Sequence, residues 1–377
     1  MRHDLVVVGG GIVGACAAYR AARAGASVVL VDHRHAGRAT DAGAGIISPE
    51  TDLRDDTPTH LLSAAAQRFY PELLDLLAAD GITETGFDHC SKLVVARTDE
   101  EAGWLSAYLE VLLDPERAAA PAPAGTLHEI TPDDARRRFP ALGAMTAAFV
   151  SETAGRVEAR HLEAALRAAA VLHGLDETTG LVEAILVENG RASGVVVAGA
   201  VIHADAVLIA GGAWSDNIAA TAGCTLDVVP QRGQIAHLGV DDPTVASWPV
   251  VAPLAHHYFL AFPGRVVVGA TRELGVGHDA RLTASGVQQV LSDALGVAPG
   301  LADATLLEVR VGLRPLATRG YPHLGEIPGR ERLFVATGHG ASGLTLGPWS
   351  GWAVAGAALG DDRDSETLDR FRPDPSR

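Results

Sequence analysis

Cysteine is scarce in this chain. Cys16, Cys90 and Cys224 are the only three among 377 residues, with no Cys-x-x-Cys pair and no metal-binding spacing. A disulfide scaffold and a cysteine-held metal centre are therefore excluded, and the three read as small core residues in a reducing compartment. Long apolar runs are absent too. None approaches the roughly 18 residues that span a bilayer. An apolar run already begins at Leu5, leaving no room for a signal peptide ahead of it, so the expectation is a cytoplasmic protein without a membrane span. Positive charge is in deficit, with 30 Lys and Arg against 46 Asp and Glu and a net charge of −16. A surface of that sign does not favour nucleic acid. No period of 20–50 residues recurs, which excludes solenoids and propellers. What remains is a chain 47% hydrophobic and 20% charged, long enough for two or three domains' worth of core.

The first fifty residues organise the rest. Leu5-Val6-Val7-Val8 is too short an apolar run for anything but a buried strand, and it meets Gly9-Gly10-Gly11-Ile12-Val13-Gly14. Residues 15–24 are alanine-rich and read as a helix that Gly25 ends; a second apolar run, 27–31, stops at Asp32. Strand, tight turn, helix, strand and acid in that order form the context in which Gly-x-Gly-x-x-Gly marks a dinucleotide site. Gly9 permits the turn, Gly11 lets backbone N–H groups approach a pyrophosphate, and Gly14 lets helix and strand pack closely. The helix start at Ile12 and Val13 offers N–H groups to phosphates. Asp32, followed by His33, is placed to accept ribose hydroxyls. Beyond it, Arg38 and Thr40 are the expected anion and hydroxyl contacts, while Arg34 is open between a 2′-phosphate contact and a solvent-exposed residue.

Helical periodicity covers 59–79, with Pro71 expected to start a second segment. A strand is expected over 92–96 and helices over 99–113 and 159–173. Thr131-Pro132-Asp133-Asp134 carries helix-start chemistry, and Asn189-Gly190 between 183–187 and 193–197 marks a hairpin. Residues 206–215 repeat the opening design, a buried strand leading to Gly211-Gly212. Strands dominate 228–271, a helix is expected over 284–295, and a strand over 306–311 ends at Gly312. A last strand over 333–336 feeds a glycine-rich loop and a helix near 349–359. Gly338, Gly340 and Gly343 satisfy the glycine pattern a second time. No strand follows that helix, so a second nucleotide unit cannot be built.

Three stretches carry a family likeness. They are Tyr258 with Val268-Gly269-Ala270-Thr271-Arg272-Glu273, Gly312-Leu313-Arg314-Pro315 with Tyr321-Pro322-His323-Leu324-Gly325, and residues 337–348. With the opening unit and residues 42–47 and 210–215, the chain resembles the D-amino acid oxidase superfamily, its glycine oxidase branch above all. The resemblance implies an α/β fold of two domains. A Rossmann-type FAD-binding domain, a parallel sheet with helices, draws on 1–84, 144–223 and 312–377. An α+β substrate domain with a mostly antiparallel sheet draws on 85–143 and 224–311. FAD is the implied cofactor, its AMP end on Gly9, Gly11, Gly14 and Asp32. Thr40, Ala44, Gly45 and Ile46 match the segment beside the pyrophosphate and flavin. Leu181 falls near the adenine and Gly211 joins the cofactor set. Gly338-His339-Gly340-Ala341-Ser342-Gly343-Leu344-Thr345 is the loop that wraps the isoalloxazine.

The same likeness makes Arg314 and Tyr258 the catalytic and substrate-binding pair, both reaching the substrate carboxylate. Arg314 could instead pair with an acid such as Glu308, and Tyr258 could be plain core. Ala341 stands where relatives can carry an arginine, so a second cationic contact is missing; His256, His257 and His339 are candidates to line the pocket instead. Adjacent histidines on a strand point to opposite faces, so 256–257 makes no metal site, and no metal is expected. No cysteine follows Cys224, which excludes a C-terminal cysteinyl flavin; FAD is expected to be non-covalent. The implied reaction is oxidation of glycine or a D-amino acid, by hydride transfer from Cα to flavin N5. It gives an imino acid that water converts to keto acid and ammonia. Oxygen or another acceptor takes the electrons. Rivals are a dehydrogenase, an oxidase of N-methyl or cyclic imino acids, and a non-redox flavoprotein or NAD module. The missing second nucleotide unit disfavours an NADPH-driven hydroxylase. Oligomeric state is open.

Overall fold

A computed structural model describes residues 2–53, 57–254 and 257–374. The opening run forms the strand Arg2–Val8, followed by the helix Ile12–Arg23 and the strand Val28–Asp32. Leu5, Val6, Val7 and Val8 are all buried because their strand lies inside a parallel sheet, covered on both faces. It pairs in parallel with Val28–Asp32 on one side and Ala200–Ile209 on the other. Parallel strands Asp176–Thr179 and Leu333–Thr337 extend the sheet. The expected hairpin, Val182–Glu188 with Arg191–Val197, adds an antiparallel flank. Its turn places Asn189 at φ 51° and Gly190 at φ 82°, the twist that suits right-handed strands. The helix Ile12–Arg23 is built of small residues because helix Gly343–Ala358 packs hard against it. A Cβ on Gly351 would sit 2.2 Å from the Val13 carbonyl oxygen.

A second sheet runs in the order Thr305–Ala317, Val228–Gly239, Arg265–Gly269, Tyr258–Phe262, Val250–Pro253, Lys92–Ala96, Ala147–Ser151, Leu127–Ile130. It is antiparallel except where Val250–Pro253 runs parallel to Lys92–Ala96. Phe139, Trp248, Phe259 and Val268 anchor the core on one face. The protein is thus mixed α/β. Ala147–Ser151 pairs in this second sheet although it falls within 144–223, and Thr305–Ala317 crosses position 312.

Prolines account for three differences from the sequence-based expectation. Pro71 starts no second segment, and Thr59–Ala79 is one helix. Pro71 is exposed, so its missing N–H falls on the water side, while Leu62, Phe69, Leu73 and Leu77 hold the buried face. The helix expected near 349–359 begins at Gly343 and contains Pro348, and a short helix, Ser365–Asp369, follows it. The carbonyl that Pro348 leaves without a donor, that of Leu344, is taken by the Tyr70 hydroxyl. The strand expected to end at Gly312 runs on to Ala317. It lies at the sheet edge, where Pro315 breaks no ladder on the open side. Among the described residues no helix is long and apolar enough to cross a membrane.

Candidate active site

A cleft of about 1570 Å³, counting the space open at its mouth, runs over the C-terminal ends of the parallel strands. Its wall takes in Val8, Asp32 and Thr337 from the first sheet and Tyr258 and Arg314 from the second. The crevice beyond the carboxyl ends of such strands is where open α/β sheets bind ligands.

The glycine turn forms one side. Gly9 has φ 104°, and a Cβ there would lie 2.5 Å from the Ala210 carbonyl oxygen; one on Gly14 would lie 1.8 Å from that of Gly9. The Ile12 N–H donates to Thr40 Oγ1 at 3.1 Å. Asp32 is almost fully buried and accepts from the Arg34 N–H at 3.1 Å and from Arg38 Nη1 at 2.8 Å. Arg38 also binds Asp41 and Glu163, both at 2.8 Å. The guanidinium expected as an open anion contact is therefore held by three carboxylates, and it fixes Asp32. Sequence reasoning missed an aromatic wall here: His35 stacks on Trp214 with ring centroids 4.3 Å apart, and both line the cleft.

Among the expected cofactor residues, Gly9, Gly11, Ile12, Val13, Asp32, His33, Arg38, Thr40, Ala44, Gly45 and Ile46 line the cleft. So do Leu181, Gly211, His339, Gly340, Ala341, Gly343 and Leu344. Gly14, Gly338, Ser342 and Thr345 are not part of its wall. The Thr345 hydroxyl donates to the Ile46 carbonyl at 3.0 Å, and Ser342 directly precedes the helix Gly343–Ala358 without a side-chain capping bond. His257 is not in the wall either; its ring stands 6.4 Å from Phe259. His256 lies outside the described residues.

Two further glycines seat the expected substrate pair. The Arg314 guanidinium lies over Gly233, where a Cβ would come within 2.4 Å of Nη1. The Tyr258 hydroxyl lies over Gly269, where a Cβ would come within 2.7 Å. The two side chains stand close enough to feel each other's charge, and Arg314 Nη1 donates to the Thr271 carbonyl at 2.9 Å. Burial pushes Arg314 below its ordinary value, yet a guanidinium stays charged. Burial pushes the Tyr258 phenol up against the pull of Arg314, so it holds its proton. Glu308, the alternative partner for Arg314, pairs instead with Arg310. Among the described residues Arg314 forms no ion pair. A second arginine, Arg272, which belongs to the stretch carrying the family likeness but was given no role in the site, lines the same cleft.

Comparison with known proteins decides the family. Residues 4–357 match the family model of DAO-type FAD-dependent oxidoreductases. The chain belongs to this family. A crystal structure of iminodiacetate oxidase from Chelativorans sp. is similar at 38% identity and a TM-score of 0.91, covering 98% of this chain and 99% of that one. Glycine oxidase from Pseudomonas putida is 32% identical, with 93% of each chain covered. The glycine oxidase structure from Geobacillus kaustophilus superposes with a TM-score of 0.83 at 28% identity, covering 95% of each. The family is FAD-dependent, and its relatives act on amine donors.

The cleft fits that cofactor. Side chains are excluded where Gly9, Gly14 and Gly45 carry the backbone past neighbouring carbonyls, so main-chain groups form much of the floor. The first turn of Ile12–Arg23 then presents N–H groups where phosphates are favoured. Gly11, Thr40 and Asp32 would hold the nucleotide half, and residues 44–46 and 339–344 the flavin half.

His339 in this wall belongs to a set of three buried histidines. Burial holds His237 and His339 down to about 4 and His323 to about 3, from an ordinary 6.5. All three are neutral in the working enzyme. Between about pH 6.5 and 4 the unfolded chain binds protons that the folded one does not, so stability rises with pH and is lost on acidification. Each histidine contributes about 1.4 kcal/mol per pH unit in that window. Buried Glu50 and Glu163 are pushed up and act in the opposite sense, so the contribution is read by difference. Unfolding free energies of wild type and His237→Gln between pH 7 and 5 should differ in slope by about that amount. Parallel curves would contradict a neutral buried His237.

Proposed function

We propose that this enzyme oxidises the CH–N bond of a small amino acid whose carboxylate is gripped by Arg314 and Tyr258. The observation that carries the reading is Arg314 itself: a half-buried guanidinium in an FAD cleft, over a bare glycine, with a protonated hydroxyl beside it. Its two-pronged donor set matches a carboxylate in a way that a lysine cannot. With the carboxylate pinned, the Cα–H is presented to the flavin half of the cleft in one orientation, which removes most of the entropic cost of encounter. Bound FAD supplies the acceptor for the Cα hydrogen and its electron pair. The substrate leaves as an imine, having also lost the proton on nitrogen, and water splits it to a keto acid and an amine or ammonia. No side-chain base is required for a neutral substrate amine, and His339, held neutral, adds no charge to the wall.

Glycine, D-amino acids and N-substituted glycines fall within the proposal, the last because an iminodiacetate oxidase stands among the similar structures. The same reading assigns flavin to the first sheet and substrate to the second, and it keeps three free cysteines in a reducing cytoplasm. The test is turnover of an amino-acid panel, read as oxygen uptake and, in parallel, as reduction of an artificial quinone. Oxidation of at least one carboxylated amine is expected. Activity on the quinone alone would make the enzyme a dehydrogenase, and no activity in either assay would contradict the reading.

A further inference from the structure

We propose that Arg272 is a second carboxylate anchor, making the substrate a small amine that carries two carboxylates. This rests on the amine-oxidising reading of the same cleft. Arg272 directly follows Thr271, whose carbonyl receives Arg314 Nη1, and it lines the cleft with Arg314 and Tyr258. The two guanidinium groups feel each other's charge, and Tyr258 feels both. Arg314 is half-buried and Arg272 exposed to solvent, and two like charges on the wall of one cleft favour an entering anion.

The neighbouring acids are committed elsewhere. Glu273, the next residue in sequence, accepts from Arg232 at 2.6 Å, Gln234 at 2.7 Å and Thr271 at 2.8 Å. Asp279 pairs with Arg232 and Arg281. The one acidic residue in the wall of the cleft, among those described, is Asp32, which is bound to Arg38. Neither Arg272 nor Arg314 forms an ion pair among the described residues. A monocarboxylate neutralises one of them. A second carboxylate, on the amine substituent or on a short side chain, neutralises both. The cation absent at Ala341 is thereby supplied from another strand's end.

The test compares ligands that differ by one carboxylate, on the FAD-loaded enzyme. Malonate and acetate, neither of them oxidisable here, are titrated by the change in flavin absorbance. N-carboxymethylglycine against N-methylglycine, and D-aspartate against D-alanine, are compared by kcat/KM to locate the second carboxylate. Wild type should prefer the dicarboxylate of each effective pair. Arg272→Gln should shrink that preference by about 10- to 100-fold, the worth of a hydrogen-bonded contact to a charged group, and Arg272→Lys should restore part of it. An equal loss for both members of every pair, or no loss at all, would overturn the proposal. Failure of every amine to be oxidised, with the malonate preference intact and dependent on Arg272, would instead remove the amine-oxidising reading and leave the anchor.

Discussion

Arg314→Ala is expected to depress kcat/KM for carboxylated amines by about 2–5 kcal/mol, roughly 30-fold to several thousand-fold. The loss should fall mainly on KM. The substitution removes the half-buried cation beside Tyr258 and leaves the substrate carboxylate without its forked partner. FAD retention should survive, since Arg314 stands on Thr305–Ala317 of the second sheet and its hydrogen bond runs to the Thr271 carbonyl. Arg314→Lys keeps the charge but loses the planar fork, so it should recover only part of the activity. Unchanged kcat/KM for every amino acid turned over would remove Arg314 from substrate binding.

The second large effect is expected at Gly14. An added methyl would begin 1.8 Å from the Gly9 carbonyl oxygen, and that atom is backbone with nowhere to move. The helix Ile12–Arg23 must then lift away from the strand Arg2–Val8, which spoils the turn between them. Overpacking of this kind costs typically 1–3 kcal/mol and occasionally more. Here the strain falls on the cofactor cradle, so FAD affinity should drop by about 100-fold. Gly25→Ala is the control. Unlike helical Gly14 it has a left-handed backbone, φ 81°, but a Cβ there meets nothing within 4 Å. Its cost should be about 1 kcal/mol of stability with flavin retained. Flavin content of the two purified variants separates them, and equal content would contradict the role of the Gly14 contact.

Much of this was legible in the sequence because the signals were local. The strand, turn, helix, strand and acid of residues 2–32 announce themselves through apolar runs and glycine spacing, and the Asn189-Gly190 hairpin and the Thr131 cap through their local turn and cap residues. What escaped depends on partners distant in sequence. Arg38 reads as an anion contact until Glu163 and Asp32 are brought to it. Pro71 reads as a break until its helix is seen to expose it, and Pro348 until Tyr70 fills the gap it leaves. Arg272 follows a strand in a polar stretch with no periodicity to mark it. Only the pairing of Tyr258–Phe262 with Arg265–Gly269, and of Val228–Gly239 with Thr305–Ala317, turns it toward the same cleft as Arg314. Gly233 and Gly269, which make room for Arg314 and Tyr258, are likewise silent until those strands are side by side.

Whether this cleft performs amine oxidation is tested most directly by mixing the FAD-loaded enzyme with amino acids of both hands and with N-substituted glycines under nitrogen, following the visible flavin absorbance. Bleaching by at least one carboxylated amine is expected, and it should be slowed or abolished in Arg314→Ala under the same conditions. A flavin that stays oxidised with every such amine, or bleaches equally well in Arg314→Ala, would contradict the assignment.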